Sequence, residues 1–175
     1  RVLGANEDIR VAVVGFNGRG MGHIKEILAC KGARLVALCD VDPAVLARGV
    51  AEVSKHNLKV ETYNDVRKLL ESKDIDAITT ATPNHWHSLI GIWACQAGKD
   101  AYVEKPISHN VWEGRQLVKA ARKYGRVVAG GTQNRSNPKY REAVQWVQAG
   151  NLGKIRAVYG YCYKPRMSIG KSGRG

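Results

Sequence analysis

No two of the four cysteines stand in a CxxC pair; Cys30, Cys39, Cys95 and Cys162 are scattered along the chain. That spacing argues against a disulfide framework and against a cysteine-built metal site. Three of them fall in apolar strand or helix patterns, so buried free thiols are expected. Missing disulfides point only weakly to a reducing compartment, because an exported α/β protein can do without them. No apolar run approaches the roughly 18 residues of a membrane span, and no membrane partner is expected. Internal repeats and low-complexity tracts are also lacking. The chain starts at Arg1 rather than at a methionine. It is therefore expected to be processed or trimmed, with either a cytoplasmic location or export after loss of a signal peptide.

Acidic residues are scarce in one region only. Residues 1–114 carry 14 basic and 14 acidic side chains, whereas residues 115–175 carry 14 basic ones against a single acid, Glu142, which accounts for the net charge of +13. A cationic solvated face and a nucleic-acid footprint both fit such a stretch. No reader motif or clustered aromatic platform accompanies it, so nucleic acid is not the expected partner. The better reading is that a segment beyond the last residue supplies the acidic complement.

What is present is a core and an order. With 44% apolar residues in 175, the chain can build one domain, or one domain and part of another. Strand-like and helix-like runs alternate along it. Ile9–Val14, 34–39, 60–63, 76–80, 101–103 and 127–129 read as strands. Helices are expected over 21–31, from Asp42-Pro43 to about 56, from Asn64 or Asp65 to 72, over 86–97, over Val111–Tyr124 and over 138–149. Six strands with helical crossovers predict an α/β doubly wound parallel sheet, a Rossmann fold, over residues 1–150. Past Gly150 the pattern changes. Residues 154–163 alternate with period two and read as the first strand of a second, antiparallel and incomplete α+β domain over 151–175.

The first forty residues carry the strongest chemical signal. After Ile9–Val14 comes Gly15-Phe16-Asn17-Gly18-Arg19-Gly20, then a helix, a second strand, and Asp40 placed 20 residues beyond Gly20. Gly15 permits a tight bend, Gly20 permits close helix–sheet packing, and the first helical amides face a pyrophosphate. The middle glycine of the G-x-G-x-x-G pattern is replaced by Asn17, with Gly18 next to it. Asn tolerates left-handed backbone angles, provided its side chain points away from the phosphates. Arg19 offers them a further positive charge. Asp40 can accept the two ribose hydroxyls of NAD and would repel the 2′-phosphate of NADP.

Three further runs fall at strand ends. Thr82-Pro83-Asn84-His85-Trp86-His87 follows the fourth strand, with Asn84 and His87 expected to face the cofactor. Two histidines at i, i+2 hint at a metal, but no further ligands are evident and none is expected. Glu104-Lys105-Pro106 ends the fifth strand. Lys105 there can hold a substrate hydroxyl and move its proton, while Glu104 pairs with Lys105 or binds the cofactor ribose; a solvated Glu–Lys pair is the bland alternative. Gln133, in Gly131-Thr132-Gln133-Asn134, occupies the sixth strand's edge. Tyr163, Lys164 and Arg166 either line a substrate cleft or end a surface hairpin.

These motifs together resemble the Gfo/Idh/MocA oxidoreductase family, over residues 9 to about 163. The resemblance implies an N-terminal Rossmann domain that binds NAD, and a second domain with a large open sheet that covers the site and often forms a homo-oligomer interface. It implies sugar, cyclitol or related polyol substrates, with Lys105 as the catalytic lysine. Some relatives instead use transient sugar oxidation to cleave a glycosidic bond. The family's remaining catalytic residues lie on a C-terminal-domain helix and have no counterpart here, so a non-catalytic NAD-binding module is a further expectation. The opening Arg1-Val2-Leu3-Gly4-Ala5-Asn6 resembles mature starts of members exported by the twin-arginine route.

Overall fold

A computed structural model describes residues 8–163 and 165. The chain divides into two compact units, one ending at Thr132 and one beginning at Gln133.

The first unit is an alternating β/α chain. Its elements are β1 (Ile9–Val14), α1 (Arg19–Leu28), β2 (Ala33–Cys39), α2 (Pro43–Ser54), β3 (Glu61–Tyr63), α3 (Val66–Glu71), β4 (Ala77–Thr80), α4 (Asn84–Gln96), β5 (Asp100–Glu104), α5 (Val111–Tyr124) and β6 (Val128–Gly131). All five strand pairings are parallel and the sheet order is β3-β2-β1-β4-β5-β6. This is the expected doubly wound α/β sheet. Its order reverses between β1 and β4, so ligands are expected outside the carboxyl ends of those strands.

The central strands are apolar in succession because helices cover both faces. Ala12 and Val14 of β1 pack on one side with Ile78, Ile90, Ala94 and Val103. Val13, between them, packs on the other with Phe16, Ile24, Leu38 and Val45. Successive residues of one strand thus feed two separate cores, as a side-chain period of two requires.

The amino ends of the strands are tied by polar side chains. Arg10 spans Asp76 and Asp74, with contacts of 2.8–2.9 Å. Lys99 is only 5% exposed, and its ammonium donates to the carbonyls of Ser72 (2.6 Å) and Ile75 (2.9 Å). Helix starts follow their caps. Asp42 accepts from the amides of Ala44 and Val45 ahead of Pro43, Asp65 accepts from Arg67 N, and Asn110 accepts from Glu113 N. Helix α1 begins two residues earlier than its apolar spacing suggests, because Gly18 serves as N-cap with no side-chain acceptor.

The second unit contains a 3-10 turn (Gln133–Ser136) and α6 (Pro138–Gln148), whose N-cap Asn137 accepts from Lys139 N. The strand expected over 154–163 is corrected: it pairs with no strand among the described residues. Its period of two is nevertheless visible, since Tyr159 stacks on Tyr161 (6.3 Å between centroids) and Tyr161 on Tyr163 (5.4 Å). What is missing is a neighbour, without which an alternating segment has no ladder to join. The expectation of buried thiols holds for Cys39 and Cys95, whereas Cys30 and Cys162 are exposed. Among the described residues, no helix is long and apolar enough to cross a membrane.

Candidate functional site

The turn after β1 is built for close approach. Gly15 has φ +72°, and a Cβ there would lie within 2.9 Å of the Thr82 backbone. A Cβ on Gly20 would overlap the carbonyl oxygen of Gly15. Neither position tolerates a side chain, so the first turn of α1 sits directly on the strand end. Asn17 is drawn aside as its position requires: its side-chain oxygen accepts from Arg48 on α2.

Around this turn lies a cleft of about 980 Å3. Gly15, Asn17, Gly18 and Arg19 form its floor, and Asp40, Asp42 and Asp65 line one side. Thr82, Pro83, Trp86, Ile90 and Trp93 line the other. Asp40 is oriented by two backbone donors, Phe16 N to Oδ2 (3.0 Å) and Asp42 N to Oδ1 (3.1 Å). A carboxylate offers about four acceptor positions, so capacity remains for a vicinal diol. The opposite wall is aromatic, with the Trp86 and Trp93 rings 6.2 Å apart. Such a cleft, polar at a carboxylate and apolar at two indole rings tilted 52° to one another, suits a nucleoside.

Two groups in the walls are held in one charge state. Arg67 grips Asp65 through several bonds and pulls its carboxyl down to about 2. Burial, reinforced by Asp40 and Asp65, pushes the Cys39 thiol up to about 12, so it stays protonated and chemically quiet.

Several named residues sit elsewhere than their sequence positions suggest. Arg19 lines the cleft, but its guanidinium turns to Glu104 (3.1 Å) and Glu26 (3.1 Å) rather than across the turn. His87 does not reach the cleft. It is 2% exposed, and its ring nitrogens contact the carbonyls of Pro106 (2.6 Å) and Thr82 (2.8 Å). With Ser88, which donates to the Ile107 carbonyl (3.1 Å), it fastens the loop after β5 to α4. Asn84 is exposed at the start of α4, outside the cleft walls. His85 is exposed and His87 buried, and no group of three potential metal ligands occurs among the described residues.

Glu104 is also enclosed. It receives Arg19 and His23 on Oε1 and the amide of Lys105 on Oε2. Lys105 itself is exposed at the carboxyl end of β5, beside a cis peptide bond to Pro106. Gln133 opens the 3-10 turn of the second unit. Tyr163 is exposed and stacked on Tyr161, while Lys164 and Arg166 lie outside the described residues.

Sequence reasoning passed over Trp93, Ile90, Asp65 and Arg67 as cleft walls, and His23 altogether. The i, i+4 spacing of Arg19 and His23 on one helix face was the available signal for the last.

The match to known proteins agrees with this geometry. Residues 9–132 match the family described as "Oxidoreductase family, NAD-binding Rossmann fold" (Gfo/Idh/MocA). The chain belongs to that family. It is 38% identical over 120 residues to "Glycosyl hydrolase family 109 protein 1" of Shewanella sp. (strain ANA-3), covering 66% of this chain and 26% of that protein. Among solved structures it is similar to scyllo-inositol dehydrogenase from Lactobacillus casei with bound NAD(H) and scyllo-inositol. That match has a TM-score of 0.77 and 26% identity, over 85% of this chain and 43% of the other. It is also similar to the WlbA dehydrogenase from Bordetella pertussis in complex with NADH and UDP-GlcNAcA, with a TM-score of 0.76 and 27% identity, over 85% and 44%. The chain thus spans about a quarter of the curated relative's length and under half of each structural one.

Proposed function

We propose that this chain is the cofactor-binding part of an NAD-dependent oxidoreductase. It would pass hydride between a carbohydrate, cyclitol or related polyol and the nicotinamide ring. The observation that carries the reading is one sheet edge holding a glycine-floored cleft, an oriented carboxylate at Asp40 and an exposed lysine at the end of β5. Asp40 would hold the adenosine ribose of a dinucleotide, the cleft lined by Asp65, Trp86 and Trp93 would take its adenine, and Lys105 lies farther along the same sheet edge. The bound cofactor supplies the hydride acceptor. Lys105 orients a substrate hydroxyl and takes part in moving its proton, as a positioned amine can. Three carboxylates along one wall, with Arg67 already neutralised by Asp65, favour NAD over NADP.

Within the same proposal, Asn84, Glu104 and Gln133 are cofactor-side residues, with Glu104 acting from beneath. Tyr163, Lys164 and Arg166 are on the substrate side, and the whole protein is a homo-oligomer. Isothermal titration of the chain with NADH and NADPH tests the core of it. Saturable NADH binding is expected, with NADPH at least about tenfold weaker, a difference of about 1.4 kcal/mol. Equal affinity for both would remove the role of Asp40, and no binding of either would end the reading.

A second reading is supported by the curated relatives named as glycosyl hydrolases, 35–38% identical to this chain. In it, the same hydride transfer would be transient: the sugar would be oxidised, lose the aglycone as an alcohol by elimination, take up one water in its place, and receive the hydride back. Net accumulation of NADH during turnover by the whole protein marks a dehydrogenase; aglycone release without it marks the hydrolase. Cofactor binding with neither outcome marks a non-catalytic module.

A further inference from the structure

Beneath the carboxyl edge of the sheet, side chains from three elements meet out of reach of solvent. Glu104, at the end of β5, and His23, on α1, are each 3% exposed; Thr79, on β4, is 5% exposed. His23 Nε2 lies 3.2 Å from Glu104 Oε1, which also accepts from Arg19 Nε at 3.1 Å. Glu104 Oε2 accepts the amide of Lys105 at 3.0 Å. On the other side of the imidazole, Nδ1 contacts the Thr79 hydroxyl at 2.5 Å, and the ring stands edge-on to Tyr102 with centroids 5.6 Å apart. A carboxylate can only accept, so Nε2 is the donor.

A hydroxyl, an imidazole and a carboxylate in a row also describe the machinery of a serine-type hydrolase. Burial decides against that reading here. Thr79 is enclosed within the sheet and is absent from the walls of the cleft, so no substrate reaches its oxygen. The chain of hydrogen bonds ends instead on the peptide group of Lys105.

We propose that His23 is a positioning residue for Lys105. By holding the Glu104 carboxylate, it holds the Lys105 amide and therefore the direction in which the lysine leaves the sheet. Only the catalytic consequence rests on the oxidoreductase reading. Arg19 and His23 hold Oε1 unequally. The Arg19 side chain is 40% exposed and divides its guanidinium between Glu104 and Glu26. His23 is enclosed, gripped at both nitrogens and packed against a ring. Without it, the carboxylate can turn toward Arg19, and its second oxygen leaves the Lys105 amide. Hydrogen bonds to a buried charge are among the strongest in a protein, so the release is measurable.

Amide hydrogen exchange followed by NMR on the whole chain tests this directly. In His23→Leu, exchange at Lys105 is expected to rise at least about tenfold, while Ala101 and Val103, deeper in β5, are unchanged. His23→Gln returns an N–H donor and should bring Lys105 back to within about threefold of wild type. Unchanged exchange at Lys105 in a folded His23→Leu protein overturns the proposal, and so does a His23→Gln protein that exchanges as fast as His23→Leu. Should His23→Leu fail to fold, Thr79→Val removes the anchor on Nδ1 with little change of shape. It should raise Lys105 exchange by about threefold, and no rise overturns the proposal. In the active holoenzyme, His23→Leu should lower kcat about tenfold with KM for NAD unchanged; a change confined to KM overturns the proposal. Failure of the wild-type chain to bind NADH would remove the oxidoreductase reading and leave the exchange result standing.

Discussion

The two ends of the same parallel sheet are stabilised in opposite ways. At the amino ends, Arg10 and Lys99 reach across neighbouring connections and satisfy carboxylates and carbonyls. At the carboxyl ends, the polar groups are turned inward to hold one another: Asp40 on the turn amide of Phe16, Glu104 on Arg19, His23 and Lys105. The first arrangement closes the sheet. The second leaves a cleft whose floor cannot carry side chains at Gly15 or Gly20. Stability and ligand binding are therefore expected to respond separately to changes at the two ends.

The largest expected effect is at the carboxyl edge. Lys105→Ala in the whole protein should lower turnover by about 10²–10⁴-fold, with NADH affinity within twofold of wild type. Steady-state kinetics with a parallel titration decide it, and unchanged turnover would remove the lysine's role. Next is Lys99→Met at the amino edge, which leaves the Ser72 and Ile75 carbonyls without their donor. A loss of about 1–3 kcal/mol in denaturant unfolding is expected. Because this site lies away from the cleft, NADH affinity should not move; a coupled loss of affinity would break the separation of the two ends.

Asp40→Ala should weaken NADH binding by about tenfold, roughly 1.4 kcal/mol, and narrow the gap to NADPH. Part of that loss comes through the turn, since Asp40 also accepts from Phe16 N. Calorimetric titration separates the two: a turn effect weakens both cofactors equally, whereas a ribose contact weakens NADH more.

The smallest effect concerns acid. Asp65 has its carboxyl lowered to about 2 by Arg67. Its stabilisation is complete above the ordinary carboxyl value of about 3.9 and is lost as pH falls from there toward 2. Asp65→Asn should therefore flatten the acid limb of a pH–stability curve in that window, and an unchanged limb would count against the ion pair. The substitution keeps an oxygen at the N-cap of α3, so neutral stability changes little.

Much of the fold was legible because its signals are local. The bounds Ile9–Val14 and Val111–Tyr124 are the same in sequence and structure, the first from an apolar run interrupted only by Arg10, the second from a helical pattern closed by Gly125. The glycine turn and Asp40 were legible for the same reason. What could not be read are contacts made at long sequence separation. Arg19 was expected at the phosphates, yet Glu104, 85 positions away, captures it; His23 meets the same carboxylate across 81 positions. His87 carries a motif's name but spends both nitrogens on carbonyls, a role that periodicity does not reveal. Residues 154–163 alternated as a strand should, and only the partner needed to form one is lacking among the described residues.

The aromatic wall has a practical consequence. Two of the four tryptophans, Trp86 and Trp93, line the cleft, while Trp112 and Trp146 lie on α5 and α6 with exposed rings. Indole emission overlaps the absorption of a reduced nicotinamide, so a seated cofactor would drain excitation from the first pair. The chain thus carries its own optical gauge of occupancy. Replacing Trp112 and Trp146 with phenylalanine would leave that gauge reading the cleft alone.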